Sequence, residues 1–225
     1  MPETHRSGGS PEIPPLIRKI YRFFFPPLTE YIKKELAGCE TVLDLGCGRG
    51  SNSPLPGIPL SYTLGVDIFQ PYLEECQQNA IHSDYIQADI REIEFKDGSF
   101  DAVLMLEVLE HCTKEEGQRL LDRCARWARR KVIITTPNGY LPQDEYDNNP
   151  FQEHISGWSV EELRQLGFRV TGLLGWKGLW GYRAGLRYGP ALLRQVISDL
   201  TQILTYHYPR LAFRLLAVKI LAKNV

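Results

Sequence analysis

The chain predicts an α/β fold, with a mostly parallel sheet and helices on both faces. Three observations predict it. Short apolar runs, three of them ending in a polar or acidic residue, recur at 41–44, 64–67, 85–90, 100–106 and 132–138, and each has the length of a buried strand. Helix-start signals stand between several of them. The 225 residues suffice for one such domain with a full core.

The elements follow in order. Residues 1–12 are polar and Pro-rich and read as a disordered tail. Residues 13–36 read as helical in two pieces, broken by Phe23-Phe24-Phe25-Pro26-Pro27, because the Pro pair cannot continue one helix but suits the start of the next. The organisation expected is a tail and helical cap over 1–37, then one domain over 38–225. The aromatic run is read as packing of that cap, with a membrane wedge as the alternative. Residues 51–61 hold Pro54, Pro56 and Pro59, so a loop or single turn is expected there in place of a crossover helix.

Gln70-Pro71 opens a helix through about Asn79. Thr113-Lys114-Glu115-Glu116 is a capping box. After it Leu120, Leu121, Cys124, Trp127 and Ala128 recur at helical spacing, and Arg129, Arg130 and Lys131 are placed at that helix's C-terminal end. Ser159-Val160-Glu161-Glu162 is a second capping box, with Trp158 and Leu163 as a hydrophobic staple and Gly167 as the stop. Residues 168–174 and 213–221 read as two more strands. Between them, at about 176–209, lies an insertion carrying Trp176, Trp180, Tyr182, Tyr188, Tyr206 and Tyr208. Its middle, 190–206, repeats Leu193, Val196, Ile197, Leu200 and Leu204 as an amphipathic helix does. From Trp176 onward Lys177, Arg183, Arg187, Arg194, Arg210, Arg214, Lys219 and Lys223 are opposed only by Asp199.

The formal charge of −1 gives no overall electrostatic case for nucleic acid. The N-terminus lacks the apolar stretch of a secretory signal, and no apolar run is long enough for a bilayer. Cys39, Cys47, Cys76, Cys112 and Cys124 are odd in number with no CxxC spacing. They read as reduced thiols of a cytoplasmic protein, and not as a disulfide or zinc framework. Cys47 is read as a small residue that fits its turn, against a reactive thiol.

Chemistry concentrates at Asp44-Leu45-Gly46-Cys47-Gly48-Arg49-Gly50. Alternate glycines let a ligand approach the backbone. The carboxylate beside them repels phosphate and suits an ammonium or sulfonium centre, so the turn is not the G-x-G-x-x-G phosphate cradle. This D-x-G-x-G-x-G turn, followed in order by Asp67 and Asp89 at strand ends, resembles the class I S-adenosylmethionine (SAM) methyltransferases, type 11-like, over about residues 38–170. The resemblance implies a Rossmann-like seven-stranded sheet, mostly parallel with an antiparallel last strand. It also implies SAM as cofactor, held by Asp44, Gly46, Cys47, Gly48, Asp67, Ile68, Asp89, Ile90 and Leu106. Asp67 would meet the ribose, and Asp89 would sit near the adenine amino group. Solvent-facing strand ends are the alternative for both.

The fourth strand runs into Glu107-Val108-Leu109-Glu110-His111. In a helical turn Glu107, Glu110 and His111 share a face. His154 follows after the fifth strand. The E-x-x-E-H element resembles those of ubiquinone-pathway O-methyltransferases and small-RNA 3′-terminal 2′-O-methyltransferases. In the latter, two Glu and two His hold a divalent metal. Glu107, Glu110, His111 and His154 are therefore metal candidates, and His111, His154 and Glu107 are catalytic candidates. A purely structural role for the element is the third reading. Asn138, in Pro137-Asn138-Gly139, is either a substrate contact or a turn residue. The acidic stretch 143–149 is either a substrate loop or a solvated connection.

The reading is a SAM-dependent methyltransferase acting on an oxygen of a small, lipid-linked or glycan-linked acceptor. The insertion at 176–209 is read as a membrane or lipid-phosphate contact, or as a packing lid or dimer face. RNA has less support. A nicotinamide oxidoreductase and a non-catalytic SAM-binding module are the competing readings.

Overall fold

A computed structural model describes residues 25–51, 53–181 and 191–222. The tail, the first helical piece, Phe23, Phe24, Tyr182, Arg183, Arg187, Tyr188 and Lys223 lie outside the described residues. Seven strands form one sheet. They are β1 (Thr41–Leu45), β2 (Tyr62–Asp67), β3 (Asp84–Gln87), β4 (Phe100–Leu106), β5 (Ala128–Pro137), β6 (Arg169–Trp176) and β7 (Ala212–Ile220), in spatial order β3-β2-β1-β4-β5-β7-β6. The pairs from β3 to β5 are parallel. β7 is antiparallel to both β5 and β6. The sheet is thus the Rossmann-like one expected, mostly parallel with an antiparallel last strand.

The central strands are apolar on both faces because helices cover both. Alternation along each strand divides the core. Leu43, Val103 and Ile134 enter one cluster, and Val42, Leu104 and Ile133 the other. Helix α1 (Leu28–Glu35) places Ile32 in the second cluster. Helix α2 (Gln70–Gln78) follows β2 and buries Tyr72, Leu73 and Cys76. Helix α3 (Lys114–Trp127) covers the first cluster with Leu120, Leu121, Cys124 and Trp127. Helix α4 (Val160–Gln165) adds Val160 and Leu163. Both expected capping boxes form, on Thr113 and Ser159. Gly167 stops α4 at φ +86°, with Gly167 N–H and Phe168 N–H donating to Arg164 O and Leu163 O.

Three local expectations are corrected. Arg129, Arg130 and Lys131 open β5 and do not close α3. Ala128 is already extended, and the three side chains reach Asp101, Gly38 O and Glu35. β3 ends at Gln87, before Asp89, whose carboxylate caps Arg91 N–H at 2.8 Å in a local turn. Glu107 is not helical. It has φ +58°, and a short 3-10 turn over Leu109–His111 begins only after it.

The connection from β6 to β7 is built around helix α5 (Ala191–His207), which lies on β6. The amphipathic pattern is present, but its sense is reversed. Ser198, Gln202 and Thr205 face the protein, while Val196, Leu200, Ile203 and Leu204 face outward. Leu200 is 61% exposed and Thr205 1%. The inward polar groups are satisfied by β6. Gln202 accepts from Gly175 N–H and donates to Gly172 O, Thr201 accepts from Trp176 N–H, and Ser198 donates to Leu174 O. Between β1 and β2 no helix forms among the described residues, as the prolines dictate.

Candidate active site

The glycine turn leaves the C-terminal edge of β1, where open α/β sheets bind ligands. Gly46 and Cys47 N–H groups both donate to Val66 O, at 2.7 and 3.1 Å, and so tie the turn to β2. Gly46 has φ +69°, and a Cβ there would meet Val108 Cγ2 at 2.5 Å. Gly48 has φ +54°, and a Cβ there would meet nothing within 4 Å. The first glycine is required by the protein's own walls. The second leaves open space beside a ligand path.

One cleft of about 770 Å³ opens over this turn, within the size range of small-molecule sites. Asp44, Gly46, Cys47, Gly48, Asp67, Ile68, Asp89, Ile90 and Leu106 all line it, together with Glu107 and His111. Asp67 secures the turn, accepting from Gly48 N–H and Phe69 N–H, each at 2.8 Å. Burial raises the Asp67 carboxyl, and these amides draw it back. Burial also pushes Asp44 up to about 6, opposed by the His82 imidazole. Asp89 is held by Arg91, whose Nη2 lies 2.6 Å from Oδ2, and this pairing keeps its carboxyl low.

Three arginines also line the cleft, and each is paired with an acid. Arg49 meets Glu75 and Asp147, Arg91 meets Asp89 and Glu116, and Arg214 meets Glu107. Their charges are neutralised in place. Asp44 and Asp67 therefore set the local sign, which favours a cationic ligand over a phosphate.

The rim after β4 separates the E-x-x-E-H residues. The left-handed backbone turns Glu107 toward Arg214, with Oε2 at 2.8 Å from Nη2. One donor atom each from Glu110, His111 and His154 lies within 4.8 Å of the others. Glu107 does not join that group, because it sits outside the turn that carries the other two. Glu110 is buried and accepts from Thr136 Oγ1 at 3.0 Å, while Oε1 has no partner. Burial and the Glu107 charge hold its carboxyl well above the usual range. His111 Nδ1 lies 2.8 Å from Glu153 O, and His154 Nδ1 lies 2.7 Å from Leu141 O. A carbonyl only accepts, so both Nδ1 atoms carry the proton and both Nε2 atoms keep a lone pair. Burial pushes His111 down to about 4 and lowers His154 as well. His111 lines the cleft, whereas the buried His154 does not.

Sequence reasoning missed several participants. Arg214 comes from β7 and Tyr72 from α2. Phe151 and Ile155 come from the connection after β5, whereas Tyr146 and Asn149, also on the cleft, fall in the stretch 143–149 read as a substrate loop or a solvated connection. That connection reaches across the cleft, where Asp147 meets Arg49 and accepts from Tyr72 OH at 3.3 Å. Asn138 does not line the cleft. Its Nδ2 clamps the carbonyls of Pro209, Arg210 and Ala212. A second grouping, Cys47, Cys76 and His82, forms beneath the turn. The Cys76 thiol is lowered to about 5, first by a hydrogen bond from Cys47 and then by His82, while Cys47 is raised by the same contact. No sequence spacing signals it.

The sheet order and the acid-flanked glycine turn are similar to those of class I SAM-dependent methyltransferases. Residues 43–135 match the family model described as a methyltransferase domain. A probable S-adenosylmethionine-dependent methyltransferase of Mycobacterium tuberculosis, MT3114, is 27% identical over 56% of this chain and 46% of its own. Phthiotriol/phenolphthiotriol dimycocerosates methyltransferase 1 of Mycobacterium ulcerans is 30% identical over 60% of this chain and 48% of its own. The chain thus matches about half the length of these curated relatives. A SAM-dependent methyltransferase structure from Archaeoglobus fulgidus shares the fold. It has a TM-score of 0.54 and 21% identity, over 90% of this chain and 99% of that one.

Proposed function

We propose that this protein transfers a methyl group from SAM to an oxygen of a small, lipid-linked or glycan-linked acceptor. The observation that carries this reading is the cleft itself, with an open glycine at Gly48 and two acids, Asp44 and Asp67, that no arginine among the described residues pairs with. SAM bound there supplies a methyl group already activated by its sulfonium. The chain has to align the acceptor and take a proton. His111 fits the second task. It lines the cleft, its Nδ1–H is anchored on Glu153 O, and its Nε2 is free to accept a hydroxyl proton. Glu107, locked to Arg214, acts on the cleft's charge and not as the base. His154 supports the His111 ring, with the two ring centroids 4.8 Å apart.

Glu110, His111 and His154 are donors of the kind that hold iron, manganese or zinc, where a metal would lower the acceptor hydroxyl's pKa. Metal-free transfer is favoured here because the fourth expected donor, Glu107, is turned away.

One observation favours a lipid-linked acceptor. The outward face of α5 presents Val196, Leu200, Ile203 and Leu204, beside Tyr208 and Leu211. An apolar helix face of this kind suits the interfacial zone of a membrane. No helix among the described residues is long and apolar enough to cross one. The working picture is therefore peripheral contact.

Calorimetric titration of S-adenosylhomocysteine (SAH) into the full chain tests the cofactor reading. Saturable binding is expected, and no binding overturns it. Asp67→Ala is expected to weaken binding by about 1.5–3 kcal/mol, since the carboxylate both holds the turn and lines the cleft. Added iron(II) or manganese(II) is expected to leave turnover unchanged, and a metal-dependent rise that Glu110→Gln abolishes would move the role to a metal. In vesicle flotation, wild type is expected to rise with the lipid and the Leu200→Lys/Leu204→Lys variant to stay behind. Wild type remaining unbound would remove the membrane reading.

A further inference from the structure

We propose that Cys47, Cys76 and His82 form a zinc site directly beneath the glycine turn. The three residues come from separate parts of the chain. Cys47 is in the turn, Cys76 is in α2, and His82 is in the connection from α2 to β3. One donor atom from each lies within 4.8 Å of the other two. Asp44 Oδ2 stands 3.5 Å from His82 Nε2. Donors around a tetrahedral zinc stand roughly 3.3–3.8 Å apart. The three donors therefore have to draw in by up to about 1 Å to close on an ion.

The second observation is the state of His82. Its side chain has no exposure, and neither ring nitrogen has a hydrogen-bond partner. A buried imidazole with both nitrogens idle is costly, and a missing ion is one named cause of such an orphan. The surroundings are shaped for these side chains. Gly65 sits inside β2, where glycine weakens a strand. A Cβ there would meet the His82 ring at 2.6 Å and Cys47 Sγ at 3.1 Å. A Cβ on Gly50 would meet Cys76 Sγ at 2.8 Å. Two glycines thus make room for two thiols and an imidazole.

Two thiolates and one imidazole form a borderline-soft set that suits zinc over magnesium or calcium. Three protein donors leave the fourth tetrahedral position to water. Binding would release the protons still carried by the thiols. It would pin the turn to α2 and to the connection before β3 at once. The Glu110–His111–His154 group differs in kind, because it holds no sulfur.

Cobalt(II) titration of the full chain, with a phosphine reductant present, tests the site without cofactor or turnover. Uptake of one equivalent is expected, with a thiolate-to-cobalt charge-transfer band and the intense visible bands of a tetrahedral ion, both displaced by zinc. Cys76→Ser is expected to lose about half of the charge-transfer intensity, and His82→Ala to weaken binding tenfold or more. Cys39→Ser, elsewhere in the core, is expected to leave the spectrum unchanged. X-ray absorption on zinc-loaded wild type covers the case in which these variants do not fold, and sulfur scatterers at about 2.3 Å are expected. No uptake, or a shell of oxygen and nitrogen alone, overturns the proposal. SAH binding is read separately, so loss of one conclusion leaves the other standing.

Discussion

Helices α3 and α5 lie on the same sheet with opposite polarity. α3 turns Leu120, Leu121, Cys124 and Trp127 inward and leaves its charges in water. α5 turns Ser198, Gln202 and Thr205 inward and leaves Val196, Leu200, Ile203 and Leu204 outside. Both are amphipathic, and both are held in place. The first is held by burial of apolar area. The second is held in part by side-chain hydrogen bonds to the backbone of β6, at Leu174, Gly175 and Trp176. Periodicity in a sequence reveals that a helix has an apolar face. It does not reveal whether that face meets the protein or something beyond it.

The largest expected effect separates the two helices with one kind of substitution. Leu120→Ala on α3 is expected to cost about 2–5 kcal/mol in chemical denaturation. Leu200→Ala on α5 is expected to stay within about 0.5 kcal/mol. A loss at Leu200 matching that at Leu120 would break the comparison. Gln202→Leu sharpens it. An ordinary amphipathic helix would gain from leucine at an inward position. Here the change strands Gly175 N–H and Gly172 O, and a loss of about 1–3 kcal/mol is expected.

Glu110 is the contrasting buried polar group, satisfied at one oxygen only. Its folded pKa is raised above the unfolded value, so its contribution is intact below the unfolded carboxyl range and is lost as pH rises. Glu110→Gln cannot titrate. Its melting temperature is expected to exceed wild type at pH 8, with the gain shrinking toward pH 5. An equal difference at both values would refute the linkage. A modest change is expected at the start of α3. Thr113→Ala removes the side-chain acceptor for Glu116 N–H and is expected to cost about 1 kcal/mol by thermal melting.

These contrasts explain what was legible in the sequence. The strand order, both capping boxes and the glycine turn rest on local patterns that the fold keeps. The nine residues expected around the cofactor do line one cleft, because each sits at or just past a strand's C-terminal end. The rim was harder to read. A helical spacing for Glu107, Glu110 and His111 assumes right-handed backbone, and residue 107 is left-handed. Arg129 to Lys131 carry charges suited to a helix end, yet partners in Asp101, Gly38 and Glu35 draw them into β5. The sulfur–imidazole group under the turn and the Arg214 contact join distant segments, and no local pattern encodes either.

The place of β7 bears on how the molecule is made. β5 and β6 do not pair with each other, and β7, later in the chain than both, is hydrogen-bonded between them. On a ribosome moving at ~5–20 residues per second, β5 therefore waits on the order of seconds with an open edge while α5 and β7 are still being synthesised. An apolar strand edge left open is prone to pairing with a neighbouring chain. The polar side chains by which α5 grips β6 are all synthesised before β7.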